Sequence, residues 1–138
     1  MQLSDKVYGK IQQLCKNGDG YVTKGNIDRA VQCYEDALQL LPEPKDDWEA
    51  STWIYTALGD TYYQDKQYDE AISSLTNALK CPNGLGNPFI LLRIGESYFE
   101  AGEPEKARNY LLQAYMIDGP DIFSRENPKY FDIIKDLT

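Results

Sequence analysis

LGDTYYQDKQYDEAISSLTNAL, Leu58 to Leu79, reads as two helices joined by a turn. Leu58, Tyr62 and Tyr63 precede DKQY and Ala71, Leu75, Ala78 and Leu79 follow it, at the three- and four-residue spacings that gather side chains on one stripe of a helix. Gly59 and the alanines leave room where two helices must approach, and Leu75 is large enough to fill it. Trp53 and Tyr55 extend the first helix upstream.

The same grammar recurs on both sides. Gly18, Gly59 and Gly95 are each followed three residues later by a tyrosine, Tyr21, Tyr62 and Tyr98. Alanines follow at matching offsets, Ala30 and Ala37, Ala71 and Ala78, Ala107 and Ala114, with Tyr34, Leu75 and Leu111 between them. Pro42, Pro82 and Pro120 close the blocks. Self-similarity at 41 and then 36 residues marks stacked supersecondary units, each too small to bury its apolar face alone.

This glycine, tyrosine and alanine pattern resembles the tetratricopeptide repeat family. The resemblance implies an all-α fold, a right-handed α-solenoid of three helix-turn-helix repeats. The spacing places repeats near 4–42, 47–82 and 88–119 within one domain of 138 residues, with a capping segment over 120–138. Helices are expected at 4–23, 27–40, 47–65, 68–80, 88–101 and 104–116, with EPKDDWEAS (Glu43 to Ser51) as an inter-repeat loop. In the last stretch Asn127 reads as a helix cap and Pro128 as its first turn, before apolar Tyr130, Phe131, Ile133, Ile134 and Leu137. A helix there would cover the open end of the solenoid; the other reading is a helix that docks on a partner.

Composition narrows the function. Fourteen Lys and Arg against 22 Asp and Glu give a net charge of -8, with no basic face for a phosphate backbone, so nucleic acid is not an expected partner. No apolar run is long enough for a membrane span and the first residues are polar, so a cytoplasmic protein is expected. With no histidine at all, the commonest general base and metal ligand are missing. Cys15, Cys33 and Cys81 form no CxxC pair and read as reduced thiols beside the core. No catalytic residue, metal site or cofactor is expected.

Two tempting motifs dissolve on inspection. KNGDGYVT, Lys16 to Thr23, looks like the middle of a calcium loop, but aligning Gly20 with that loop's sixth residue puts Cys15 first and Asn26 twelfth, where the ion needs carboxylates. CPNGLGNP, Cys81 to Pro88, lacks the Lys and Ser or Thr of a phosphate loop.

The resemblance also implies where a ligand would sit, because the first helix of each tetratricopeptide unit lines the concave face. The residues so placed include Asp19 in the first unit and Trp53, Asp60, Tyr63 and Gln64 in the second. The third supplies Phe89, Arg93, Glu96, Phe99 and Glu100. Asp19, Asp60 and Glu96 occupy one equivalent position and form an acidic ladder flanked by Trp53, Tyr63, Phe89 and Phe99. Such a groove suits a basic or amphipathic segment of another protein; the competing reading is a solvated acidic face over aromatic core. The clamp by which some family members hold the C-terminal carboxylate of heat-shock chaperones is absent. Its places hold Cys15, Asp19, Ala57, Leu92 and Glu96. Bacterial immunity proteins and chaperones of secreted proteins look similar in size, and a homodimer formed through Tyr130, Phe131, Ile133 and Ile134 is the alternative.

Overall fold

The computed structural model describes residues 2–138. Six helices form three antiparallel hairpins: α1 (Asp5–Thr23) with α2 (Ile27–Gln39), α3 (Glu49–Gln64) with α4 (Tyr68–Leu79), and α5 (Pro88–Glu100) with α6 (Pro104–Asp118). Each helix packs mainly on its neighbours in sequence, and α3 also reaches α5. The result is an all-α solenoid of three helix-turn-helix repeats.

Local chemistry sets the ends. Ser4 Oγ accepts the Val7 N–H at 3.2 Å, and Asn87 Oδ1 accepts the N–H groups of Phe89 and Ile90, satisfying donors that a helix start leaves free. Pro88 and Pro104 open α5 and α6, where a missing N–H costs nothing. The hairpin turns place Gly25, Lys66 and Gly102 at equivalent sites with φ of 77°, 62° and 84°. Only Lys66 bears a side chain there.

The hairpins lock through the small and large residues read from the sequence. A Cβ added at Gly18 would meet the Tyr34 ring at 2.8 Å. One at Gly59 would overlap Leu75, and one at Gly95 would lie 2.7 Å from Leu111 Cγ. Tyr34, Leu75 and Leu111 are fully or almost fully buried, as are all six repeat alanines. Tyr55, Tyr62, Leu79, Tyr98 and Tyr110 each bridge two adjacent core clusters, so the core runs through the stack without a break.

Two segments differ from expectation. The loop before α3 is built, with a 3-10 turn at Lys45–Asp47. Lys45 Nζ donates to the carbonyls of Leu38 and Leu41 at 2.9 and 2.7 Å, closing the end of α2, a favourable place for a cation. Trp48 is buried, and its indole N–H donates to the Pro42 carbonyl at 2.8 Å. The tail is a 3-10 turn (Pro120–Phe123), a short α7 (Pro128–Asp132) and a second 3-10 turn (Lys135–Leu137), where one longer helix was expected. The β-branched pair Ile133 and Ile134 is a weak helix former, and burying Phe123, Tyr130 and Ile134 together requires a bent chain.

Candidate functional site

Trp53 on α3 and Phe89 on α5 are each 36% exposed, while most of the large apolar residues around them are buried. They line one cleft of about 400 Å³. Thr52, Thr56 and Ala57 lie on its α3 side, Asn83 and Asn87 on its far wall, and Glu49 and Asp60 add carboxylates. The cleft therefore combines two aromatic faces with acidic and polar groups, suited to a side chain with an apolar stem and a basic head.

Beside the cleft stands Arg93. Its guanidinium lies 4.8 Å from the Tyr63 ring and 5.0 Å from that of Phe89. It is held by Asp60 Oδ1 at 2.6 Å, Glu96 Oε1 at 2.6 Å and Glu126 Oε1 at 2.5 Å. One cation thus serves three acidic side chains from α3, α5 and the tail. Burial would lower the Arg93 pKa, but Glu96 and Asp60 outweigh it and hold the group charged. Glu96 is wholly buried, and its Oε2 has no hydrogen-bond partner. Burial, then the neighbouring Glu126, push its carboxyl up to about 9 against the pull of Arg93. The neutral acid is favoured, because a carboxylate with an orphaned oxygen in the interior is costly.

The tail covers the next part of the concave face. Tyr130 Oη donates to Glu100 Oε1 at 2.9 Å and lies 2.7 Å from Tyr63 Oη, which must donate to it in turn. The Tyr130 ring stands edge-on to Phe99, with centroids 5.4 Å apart. Lys129 pairs with Glu100 and lies over the Phe99 and Tyr130 rings. Burial favours the neutral Glu100, yet Lys129 and Tyr130 prevail and lower its pKa.

The ten residues singled out in the sequence are therefore divided. Trp53, Asp60 and Phe89 come together around the cleft, while Tyr63, Arg93, Phe99 and Glu100 lie under the tail. Gln64 donates to Asp60 Oδ2 at 2.9 Å. Asp19 accepts from Tyr34 Oη at 2.5 Å, so it braces its own hairpin. Glu96 does not face a groove ligand. The acidic ladder is largely consumed inside the protein, by Tyr34 and Arg93. Sequence reasoning missed Glu126 and Glu49. Glu126 sits in a turn outside any periodic pattern, and Glu49 precedes the first motif residue of its repeat.

The self-association patch expected of a free tail is not presented, since Tyr130 and Ile134 are buried against α5 and α6. The cysteines are free. Burial, then Asp19, push Cys15 up to about 12; burial, then Asp46, push Cys81 up to about 11. Neither is a thiolate at neutral pH. Among the described residues, no helix is long and apolar enough to cross a membrane.

An all-helical repeat solenoid with a ligand-sized concave cleft defines a class of protein-interaction modules. Tetratricopeptide repeat family models match residues 14–83 and 56–121, and the chain belongs to the tetratricopeptide repeat family. Among solved structures it is similar to the first such domain of Spaghetti (RPAP3) bound to the HSP90 peptide SRMEEVD. That match has a TM-score of 0.74 at 17% identity, covering 94% of each chain. It is also similar to the C-terminal domain of a Plasmodium falciparum putative FK506-binding protein (TM-score 0.77, 19% identity, 99% of this chain and 94% of that one). The Yersinia enterocolitica type III secretion translocator chaperone SycD matches at 0.73 and 18% identity, over 94% of this chain and 92% of that one. Such identities establish a shared fold alone. No curated protein matches the chain in sequence.

Proposed function

We propose that this protein is a non-catalytic binding module that holds a basic, amphipathic segment of another protein, with a Lys or Arg side chain seated in the Trp53–Phe89 cleft. The observation that carries this reading is the cleft itself, two exposed aromatic rings beside Glu49 and Asp60 in a chain of net charge -8. Aromatic faces supply contact area and a favourable field for a cation, and the surrounding acidity speeds encounter with a basic segment. The HSP90 peptide named with Spaghetti is acidic at its end. Asp19 and Ala57 stand where a carboxylate clamp would need basic or amide groups, which argues against a ligand of that kind here. A cytoplasmic location belongs to the same proposal.

The test is a titration of Trp53 fluorescence with amphipathic peptides that differ only in carrying Lys and Arg or Glu and Asp. Trp48 is buried, so a shift on binding reports on Trp53. Basic peptides should bind, weaken with salt and be lost in Glu49→Lys by fluorescence and in Trp53→Ala by titration calorimetry, which needs no Trp53 signal. Equal binding of acidic peptides, or binding untouched by both variants, would overturn the proposal. Glu49 is the acid to mutate because it makes no ion pair among the described residues, whereas Asp60 holds Arg93.

A further inference from the structure

Glu49 also lines a second cavity, of about 540 Å³, at the rim of the solenoid where α1 and α3 begin. Its walls include Asp5 and Tyr8 of α1, Asp47 and Trp48 of the preceding loop, and Pro82. Glu49 and Pro82 belong to both this cavity and the Trp53–Phe89 cleft, so the two spaces adjoin. Of the aromatic side chains described, only Tyr8, Trp53 and Phe89 are exposed, and all three lie in these two spaces. Exposed rings gathered in one strip mark a contact surface, as scattered ones do not.

The rim is acidic and not neutralised from within. Asp5, Asp47 and Glu49 make no ion pair among the described residues, and no Lys or Arg lines either space. Lys45, two residues before Asp47, is turned onto the carbonyls of Leu38 and Leu41. The rim also comes from outside the repeated pattern. Gly18 and Gly59 lie 41 residues apart, more than the about 34 of a minimal unit, and the surplus falls in Glu43–Ser51, which supplies Asp47, Trp48 and Glu49. Trp48, bonded to the Pro42 carbonyl, anchors that segment. A guanidinium or ammonium laid on Tyr8 would meet a ring face and carboxylates together.

We propose that the rim cavity is a second cation seat, taking a further Lys or Arg side chain of the same partner segment whose first basic residue occupies the Trp53–Phe89 cleft. Spaces of about 400 and 540 Å³ are each about 8 Å across, and adjoining centres lie about that far apart, close to the roughly 7 Å between residues i and i+2 of an extended chain, whose side chains share a face. The partner therefore presents two basic residues separated by one, in extended conformation, with their apolar stems along the exposed rings. This register rests on the reading of the cleft; the chemistry of the rim does not.

The test is titration calorimetry of the full chain with two synthetic peptides of identical composition, one carrying its two arginines separated by a single residue and the other with five residues between them. The closely spaced peptide should bind about tenfold more tightly, because its second contact is intramolecular. Tyr8→Ala, and separately Asp5→Asn with Asp47→Asn, should remove that advantage and leave the widely spaced peptide bound as before. Equal affinity of the two peptides, or an advantage kept in both variants, would overturn the rim seat while the cleft stands, provided Trp53→Ala still abolishes binding. Close-spaced binding that survives Trp53→Ala and is lost in Tyr8→Ala would support the rim and overturn the cleft. No binding of either peptide would overturn both.

Discussion

The three hairpins and the tail are held by different forces. Within the hairpins, glycine meets a large residue at every crossing, and the contacts are buried, short in sequence and repeated. The tail joins the same core through three buried side chains, Phe123, Tyr130 and Ile134, but its position over the concave face is set by one arginine, three acidic side chains and a pair of phenols. Apolar packing is non-directional and tolerates exchange among residues of similar volume. A buried ionic centre is directional, and removing one member strands the others. The stack is therefore expected to be robust and the tail sensitive to single polar changes.

The largest expected effect comes from deleting the cation. Arg93→Met leaves Asp60, Glu96 and Glu126 facing one another, and should cost about 3 kcal/mol, near the lower end for breaking a buried pair because three of the four groups keep some solvent. Urea denaturation measures it. An unchanged midpoint would mean that the ionic centre contributes nothing and that the contrast between body and tail is wrong.

Gly59→Val tests the other side of the comparison. A side chain there overlaps Leu75, and overpacking of this kind costs about 1 to 3 kcal/mol. The helix backbone accommodates valine, so the loss would come from crowding at the crossing. Pairing it with Leu75→Ala should restore part of the stability, and a double variant no better than the single would contradict that cause.

Glu96 gives the centre a pH signature. The folded carboxyl sits near 9 and the ordinary value is 4.5, so between those limits the folded chain holds a proton that the unfolded chain has released. Its contribution is complete below about pH 4.5 and is lost as pH rises toward 9. The groups facing it are Arg93 on its own helix, Asp60 and Tyr63 on α3 and Glu126 in the tail. Glu96→Gln should flatten stability across pH 6 to 9. A wild-type profile that is already flat would show Glu96 to be ionised throughout.

The smallest effect belongs to Tyr130→Phe, which keeps the ring against Phe99 and removes only the hydroxyl between Tyr63 and Glu100. About 1 kcal/mol is expected. Hydrogen exchange should show the loss concentrated in the tail, with α1 to α4 unaffected. Uniform acceleration over the whole chain would mean that tail and body unfold as one unit.

Much of the fold was legible because its signals are local and periodic. The glycine–tyrosine–alanine spacing located all six repeat helices to within about two residues, and Asn127 with Pro128 marked the start of α7. The loop at Lys45–Trp48 was not legible, since a lysine capping the carbonyls of the preceding helix leaves no periodic trace. The site was read in part. Of the residues singled out on the first helices, Trp53, Asp60 and Phe89 meet at the cleft. That Asp19 turns to Tyr34, and that Glu96 is buried beneath Arg93, depends on distances between helices.

The sequence by itself determined the class of protein: a three-fold recurrence of small and large residues at helical spacing can bury its apolar faces only by stacking hairpins. Only the tertiary structure decided which acids remain available to a ligand and where the tail lies. Charge pairing is set by proximity in space, and Glu126 reaches Arg93 across 33 residues of chain by a path that no local pattern encodes.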